Sequence, residues 1–223
     1  MTEPLVAPDP YPVDLRLAHL PALVVGGGSV AARKVVGLQR AGALVTVVAP
    51  AAHPAIADDP DLRWHQRPYR RGEVASYRLA VAAADDPAVN AQVHHDGEAA
   101  NVFVNSADDS DHCSFTLPAV ARHGDLQVTV STNGRSPALA SWLRDELDRC
   151  LATGYVELLE VLSEIRSEVR RAHGTTDVGG WAAALDDGLL ELVRSGRSEE
   201  ATSRLRHHLG LSRTAMPDPG DTT

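Results

Sequence analysis

The apolar and polar positions of this chain alternate between two periods. Leu23, Val24 and Val25 form a short apolar run suited to the end of a buried strand. Gly26, Gly27 and Gly28 break it. From Ser29 the period changes, with Ala31, Val35 and Leu38 at helical spacing and Gly42 as a stop. Further apolar strands are predicted over 44–48, 62–66 and 77–84, a helix over 89–100, and a short strand over 102–104 that ends at Asn105. Strands alternating with helices predict an α/β fold that begins with a Rossmann-like, doubly wound parallel sheet.

After residue 111 the pattern changes. Two strand-like runs, 115–122 and 126–131, are joined through His123, Gly124 and Asp125. In the second run Gln127, Thr129 and Ser131 alternate with Val128 and Val130, as in a half-buried strand. A polar turn over 132–137 offers Ser136 as a helix cap and Pro137 at the first helical position. Helices follow over 138–151, with Leu139, Leu143 and Leu147 on one face, and over 155–173, then 181–194 and 199–209. The expected organisation is a Rossmann-type domain over 1–112, a small α+β region over 113–151, a helical C-terminal region over 152–213 and a disordered tail over 214–223. Residues 1–12, with four prolines, read as a loose leader.

Composition narrows the function. The 223 residues are 43% hydrophobic and 23% charged, which is ordinary for a globular protein. Aromatics at 4% and a net charge of −9 argue against a base-stacking nucleic-acid module or an anionic-membrane surface. Cys113 and Cys150 form no metal or disulfide pattern. No signal peptide and no bilayer-spanning run is visible, so the cytoplasm is the expected compartment.

The glycines carry the clearest chemistry. Gly26-x-Gly28-x-x-Ala31 fits the dinucleotide fingerprint, on a strand-to-helix turn. The first glycine permits the tight turn, the second lets backbone approach a pyrophosphate, and a small residue at Ala31 allows close helix packing. Free N–H groups at the helix start favour the phosphates. The alternative is a tight turn without a ligand. The second strand closes at Ala49-Pro50 with no acid for a ribose hydroxyl and no arginine for a 2′-phosphate, so NAD and NADP both stay open. Gly26–Gly28, Asp85-Asp86 and the 105–109 segment all fall at carboxyl ends of strands, where ligands bind in such sheets. Arg67, Arg70 and Arg71 read as a solvated face before an anion site. His94, His95, His112 and His123 lack metal-ligand spacing and read as surface or core residues, so no metal site is assigned.

Six segments occur in order: Tyr11-Pro12, the stretch from Val24 to Lys34, the end of the second strand at Val47-Val48-Ala49-Pro50, Ala84-Asp85-Asp86-Pro87 with Val89-Asn90, Val104-Asn105 with Asp108-Asp109, and the stretch from Val130 to Ala140. Together they resemble the precorrin-2 dehydrogenase / sirohydrochlorin ferrochelatase family, the dehydrogenase module of siroheme synthase. The likeness covers residues 11–151. It implies a homodimer in which 113–151 forms much of the interface and part of the active site. It implies NAD-dependent oxidation of precorrin-2 to sirohydrochlorin. In some members it also implies insertion of ferrous iron. The catalytic aspartate of the family stands three positions after the strand-ending asparagine, which is Asp108 here. A carboxylate there can take the proton as the hydride leaves; on the sequence alone, Asp108-Asp109 also reads as a capping turn. Between asparagine and aspartate the family commonly has valines, and this chain has Ser106 and Ala107.

The resemblance places the cofactor against Gly26, Gly27, Gly28, Ser29, Val30, Ala49, Pro50, Asp85 and Asn105. It places the tetrapyrrole against Ser131, Thr132, Asn133, Gly134 and Arg135, with Arg135 suited to a substrate carboxylate. Strand-end hydrogen bonding is the alternative role for Ser131 and Thr132. A non-catalytic nucleotide or tetrapyrrole carrier or sensor is the competing function.

Overall fold

The computed structural model describes residues 9–107, 109 and 112–211. Asp108, most of the expected leader and the expected tail lie outside the described residues. The chain divides into two compact units, Met1–Leu117 and Pro118–Thr223.

The first unit runs β1 (Pro21–Val25), α1 (Ser29–Arg40), β2 (Leu44–Val48), α2 (Pro54–Ala57), β3 (Arg63–His65), a 3-10 turn (Glu73–Ser76), β4 (Leu79–Ala82), α3 (Pro87–Ala100) and β5 (Phe103–Ser106). The five strands are all parallel in the order β3-β2-β1-β4-β5. Successive side chains on a strand point to opposite faces. Ala22 and Val24 therefore join Val45, Val47 and Val81 against Ala31, Val35 and Leu38 of α1. Leu23 and Val25 join Val48, Ala80 and Ala82 on the other face, with Val93 of α3. Helices cover both faces, which is why the strands read as continuous apolar runs. The chain leaves β1 toward β2 and later returns to β4 on the other side, so the sheet has its switch point between β1 and β4.

Side-chain hydrogen bonds set the strand ends more tightly than the apolar runs do. The expected strand over 77–84 is only Leu79–Ala82, because Asn90 of α3 takes over Ala84. Its amide accepts from Ala84 N and donates to Ala84 O, both at 2.9 Å. The strand expected over 102–104 is shifted to Phe103–Ser106. Val102 N turns back to Gly97 O at 2.9 Å, while Ser106 pairs with Ala82.

Asp96, buried on α3, ties down the segment before β4. It accepts from Tyr69 Oη at 2.8 Å, Gly72 N at 2.6 Å and Gln92 at 2.7 Å. Burial works against its charge, but these donors and the nearby Arg71 outweigh burial and hold its carboxyl below the usual range. Arg71 matches a solvated basic face, whereas Arg67 departs from it and forms a two-point ion pair with Glu73 at 3.0 and 2.6 Å.

The second unit starts with the antiparallel hairpin of β6 (Ala119–His123) and β7 (Leu126–Val130). The strand expected from 115 begins only at Ala119. Ser114 and Phe115 are already committed to β5 and its end: Ser114 N donates to Val104 O at 2.8 Å, and Phe115 O accepts from Asn105 at 3.0 Å. Helix α4 (Pro137–Leu151) packs on the hairpin, with Ser136 capping Leu139 N at 3.2 Å. Helices α5 (Tyr155–His173), α6 (Trp181–Ala184), α7 (Asp187–Arg194) and α8 (Ser198–His208) bury Ile165, Leu189 and Leu205 in one cluster. The single helix expected over 181–194 is two. Leu185 is extended and the Asp186 carboxylate caps α7 through Leu189 N at 2.8 Å, so a new helix starts there. Among the described residues no helix is long and apolar enough to cross a membrane.

Candidate active site

The loop after β1 is shaped by backbone crowding on one side and open space on the other. Gly26 has φ +123° and donates to Val48 O at 3.0 Å. A Cβ on it would lie 2.1 Å from Ala83 O, so only glycine lets β1 turn beside β4 at the switch point. A Cβ on Gly27 would lie 1.9 Å from Ala51 O. Gly27 O accepts from His53 N at 2.7 Å, which draws the 49–53 segment against the loop. Gly28 differs from both: a Cβ there would meet nothing within 4 Å. It is the N-cap of α1, without a side-chain cap, and no acid stands in the first turn. The first amides of α1 thus have no intrahelical acceptor, and the approach to them is open. Ala31 is fully buried where α1 meets the sheet.

The remaining expected cofactor residues are placed less uniformly. Ser29 and Val30 open α1. Ala49 is buried and accepts the Trp64 indole N–H at 3.0 Å, while Pro50 is exposed. Asp85 is exposed beyond β4, and its neighbour Asp86 caps α3 through Ala88 N at 2.9 Å. Asn105 is buried, and its amide is spent on Phe115 O and the Cys113 thiol. Two residues given no role from sequence shape this region. His53 Nδ1 accepts from Ala55 N at 3.1 Å and starts α2 beside the glycine loop; the His-Pro step is its signal. Cys113 pinches the base of the segment that bears Asp108. Its sulfur accepts from Ser106 N at 3.2 Å, and its S–H faces the carbonyls of Ser106 at 3.3 Å and Asp109 at 3.1 Å.

A cleft of about 380 Å³ lies between α1 and the end of β5, lined by Val30, Arg33, Lys34, Ser106 and Leu117 among others. A larger one, about 560 Å³, lies at the opposite end of the sheet, by Pro21, Leu79 and Phe103. The structure also gathers His94, His95 and His112, with ring centres 5.3 to 5.9 Å apart. Among the described residues no group of three or more such side chains is arranged to hold a metal ion.

In the second unit, residues 131–136 make the turn from β7 to α4. Thr132 Oγ1 accepts from Ser136 N at 3.1 Å and donates to Ser136 O at 3.0 Å. Ser131 Oγ accepts from Asn133 N at 3.3 Å. Asn133 and Gly134 adopt positive φ, at 51° and 74°, and leave Arg135 exposed with no ion pair among the described residues. The two hydroxyls thus carry the turn's own hydrogen bonds.

The parallel sheet, its switch point and the open glycine turn define a protein with a Rossmann-type, dinucleotide-binding architecture. Residues 13–119 match a family model described as "Putative NAD(P)-binding", and residues 123–149 one described as "Sirohaem biosynthesis protein central". The siroheme synthase of Psychrobacter sp. (strain PRwf-1) is 33% identical over 95% of this chain and 44% of its own length. That of Methylococcus capsulatus is 36% identical over 86% of this chain and 42% of its own length. The chain spans less than half the length of these relatives. The solved structure of SirC, precorrin-2 dehydrogenase, superposes with a TM-score of 0.66 at 25% identity, over 88% of this chain and 99% of that one. The chain belongs to the precorrin-2 dehydrogenase / sirohydrochlorin ferrochelatase family, the family of the siroheme synthase dehydrogenase module.

Proposed function

We propose that the protein oxidises precorrin-2 to sirohydrochlorin with NAD as acceptor, as a homodimer in the cytoplasm. The observation that carries this reading is the glycine turn. Gly26 and Gly27 are closed by protein, whereas Gly28 opens on the free amides of α1. A pyrophosphate fits that cradle, because those amides and the helix dipole favour an anion. When bound, the nicotinamide supplies the hydride acceptor. The tetrapyrrole would give up a hydride and a proton and gain one double bond; this chain would hold the two ligands side by side and take the proton on a carboxylate.

Asp108 is the proposed base, on the strength of its place three residues after Asn105. The described residues on either side support it. Asn105 and Cys113 fix the end of β5, so a carboxylate on this segment starts from an anchored base. Ser131 to Arg135 are the proposed tetrapyrrole contacts, with exposed Arg135 available to a carboxylate. Asp85 is the proposed contact near the nicotinamide end. Exposed Leu139 and Trp142 on α4 support the homodimer.

Anaerobic precorrin-2 and NAD, mixed with the protein and followed by absorption, should yield sirohydrochlorin. Asp108→Asn should lower kcat by about 100-fold or more while NAD affinity is kept. Binding of both ligands without conversion would favour the carrier or sensor. Ferrous iron, added in a second step, tests whether sirohydrochlorin is then metallated faster with the protein than without it.

A further inference from the structure

We infer that the cleft between α1 and the carboxyl end of β5 receives carboxylate groups of the substrate. Arg33 and Lys34 form its cationic wall and Ser106 supplies a hydroxyl. The inference rests on the tetrapyrrole reading above, since that substrate carries eight carboxylates.

Three observations carry it. Among the described residues the cleft, about 380 Å³, is lined by the two cations Arg33 and Lys34 and by no acid, in a chain whose net charge is −9. Arg33 is exposed and forms no ion pair among the described residues. Ser106 is 4% exposed, and its hydroxyl is buried without a hydrogen-bond partner. Its backbone N–H and C=O are both engaged by the Cys113 sulfur, so the hydroxyl is the uncommitted group of this residue. Buried polar groups nearly always have a partner, and an orphan beside a cationic cleft points to a ligand.

The cleft adjoins the cofactor's side, since Val30 and Asn105 line it too, but its cations lie away from the pyrophosphate cradle and from the end of β2. The pyrophosphate cradle is at Gly28, and Arg33 lies five residues further along α1, about 7 Å along the axis. A 2′-phosphate would sit at the end of β2. In the order β3-β2-β1-β4-β5, β5 is three strand spacings away, about 14 Å. The NAD arm of the test separates a molecule bound beside the dinucleotide from the dinucleotide itself.

The test titrates the full-length protein separately with sirohydrochlorin and with NAD. Arg33→Gln should weaken sirohydrochlorin by about tenfold, the loss of one charge-assisted hydrogen bond, and leave NAD affinity unchanged. Added salt should weaken the parent protein and narrow that gap. Ser106→Ala should raise the thermal midpoint, because it removes an unpartnered hydroxyl, and should also raise the KM for precorrin-2. Weakened NAD binding in Arg33→Gln would assign the cleft to the cofactor and overturn the inference. Unchanged sirohydrochlorin affinity in both variants would overturn it while leaving the dehydrogenase reading intact. A parent protein that does not bind sirohydrochlorin would overturn both.

Discussion

Helices α4 and α5 are neighbours in the chain, carry similar apolar stripes, and are treated differently. On α5, Leu158, Val161, Ile165 and Val169 are all buried against α7 and α8. On α4, Ala140 is the one buried residue, and Leu139, Trp142 and Leu147 are 47%, 56% and 37% exposed. The same contrast divides the five-stranded sheet from the hairpin. Helices close both faces of the sheet, whereas in the hairpin Ala121 is the one fully buried residue. A stripe in a sequence states that a face is apolar; what covers it is a tertiary matter. The α5 stripe and the sheet are completed within their own units. The α4 face fits the proposed contact with a second copy.

Substitutions break or sharpen this contrast, in order of expected effect. Ile165→Ala, in the closed cluster, should cost about 3 kcal/mol, read from a denaturant titration. Gly26→Ala should cost about 2 kcal/mol and abolish NAD binding, since it meets both Ala83 O and a positive φ. Gly28→Ala, with open space around it, should keep its thermal midpoint and lose NAD affinity alone. Equal thermal losses in the two glycine variants would undo the assignment of Gly28 to the ligand side. Trp142→Ser should change stability least at high dilution and should shift the sedimentation of the dimer toward monomer. An unchanged sedimentation profile would remove the α4 face from the proposed interface.

Acid should loosen both units through different carboxylates. Asp96 in the first is held below its usual range by its donors despite burial, and Glu168 in the second by its hydrogen bonds with Arg206. A depressed folded value means the stabilisation is full above the unfolded value, about pH 4, and is lost as pH falls through the folded one. Denaturation midpoints should therefore fall in acid below about pH 4, and Asp96→Asn should flatten that fall in the first unit.

Much of this protein was legible in one sequence. Alternating apolar runs gave the parallel sheet and its order of elements. The Gly26-x-Gly28-x-x-Ala31 spacing gave the turn, and Ser136-Pro137 gave the start of α4. These are local: period, φ preference and capping are properties of a few adjacent residues. What spacing could not give was which groups are already spoken for. The resemblance puts Asn105 and Thr132 against ligands, and the folded chain adds that their side chains also hold Phe115 O and Ser136. Asn90 pins the end of β4, Cys113 pinches the segment after β5, and Arg33 shares a cleft with Ser106. Such partnerships join residues that only the folded chain brings within hydrogen-bond reach, so tertiary structure decided them.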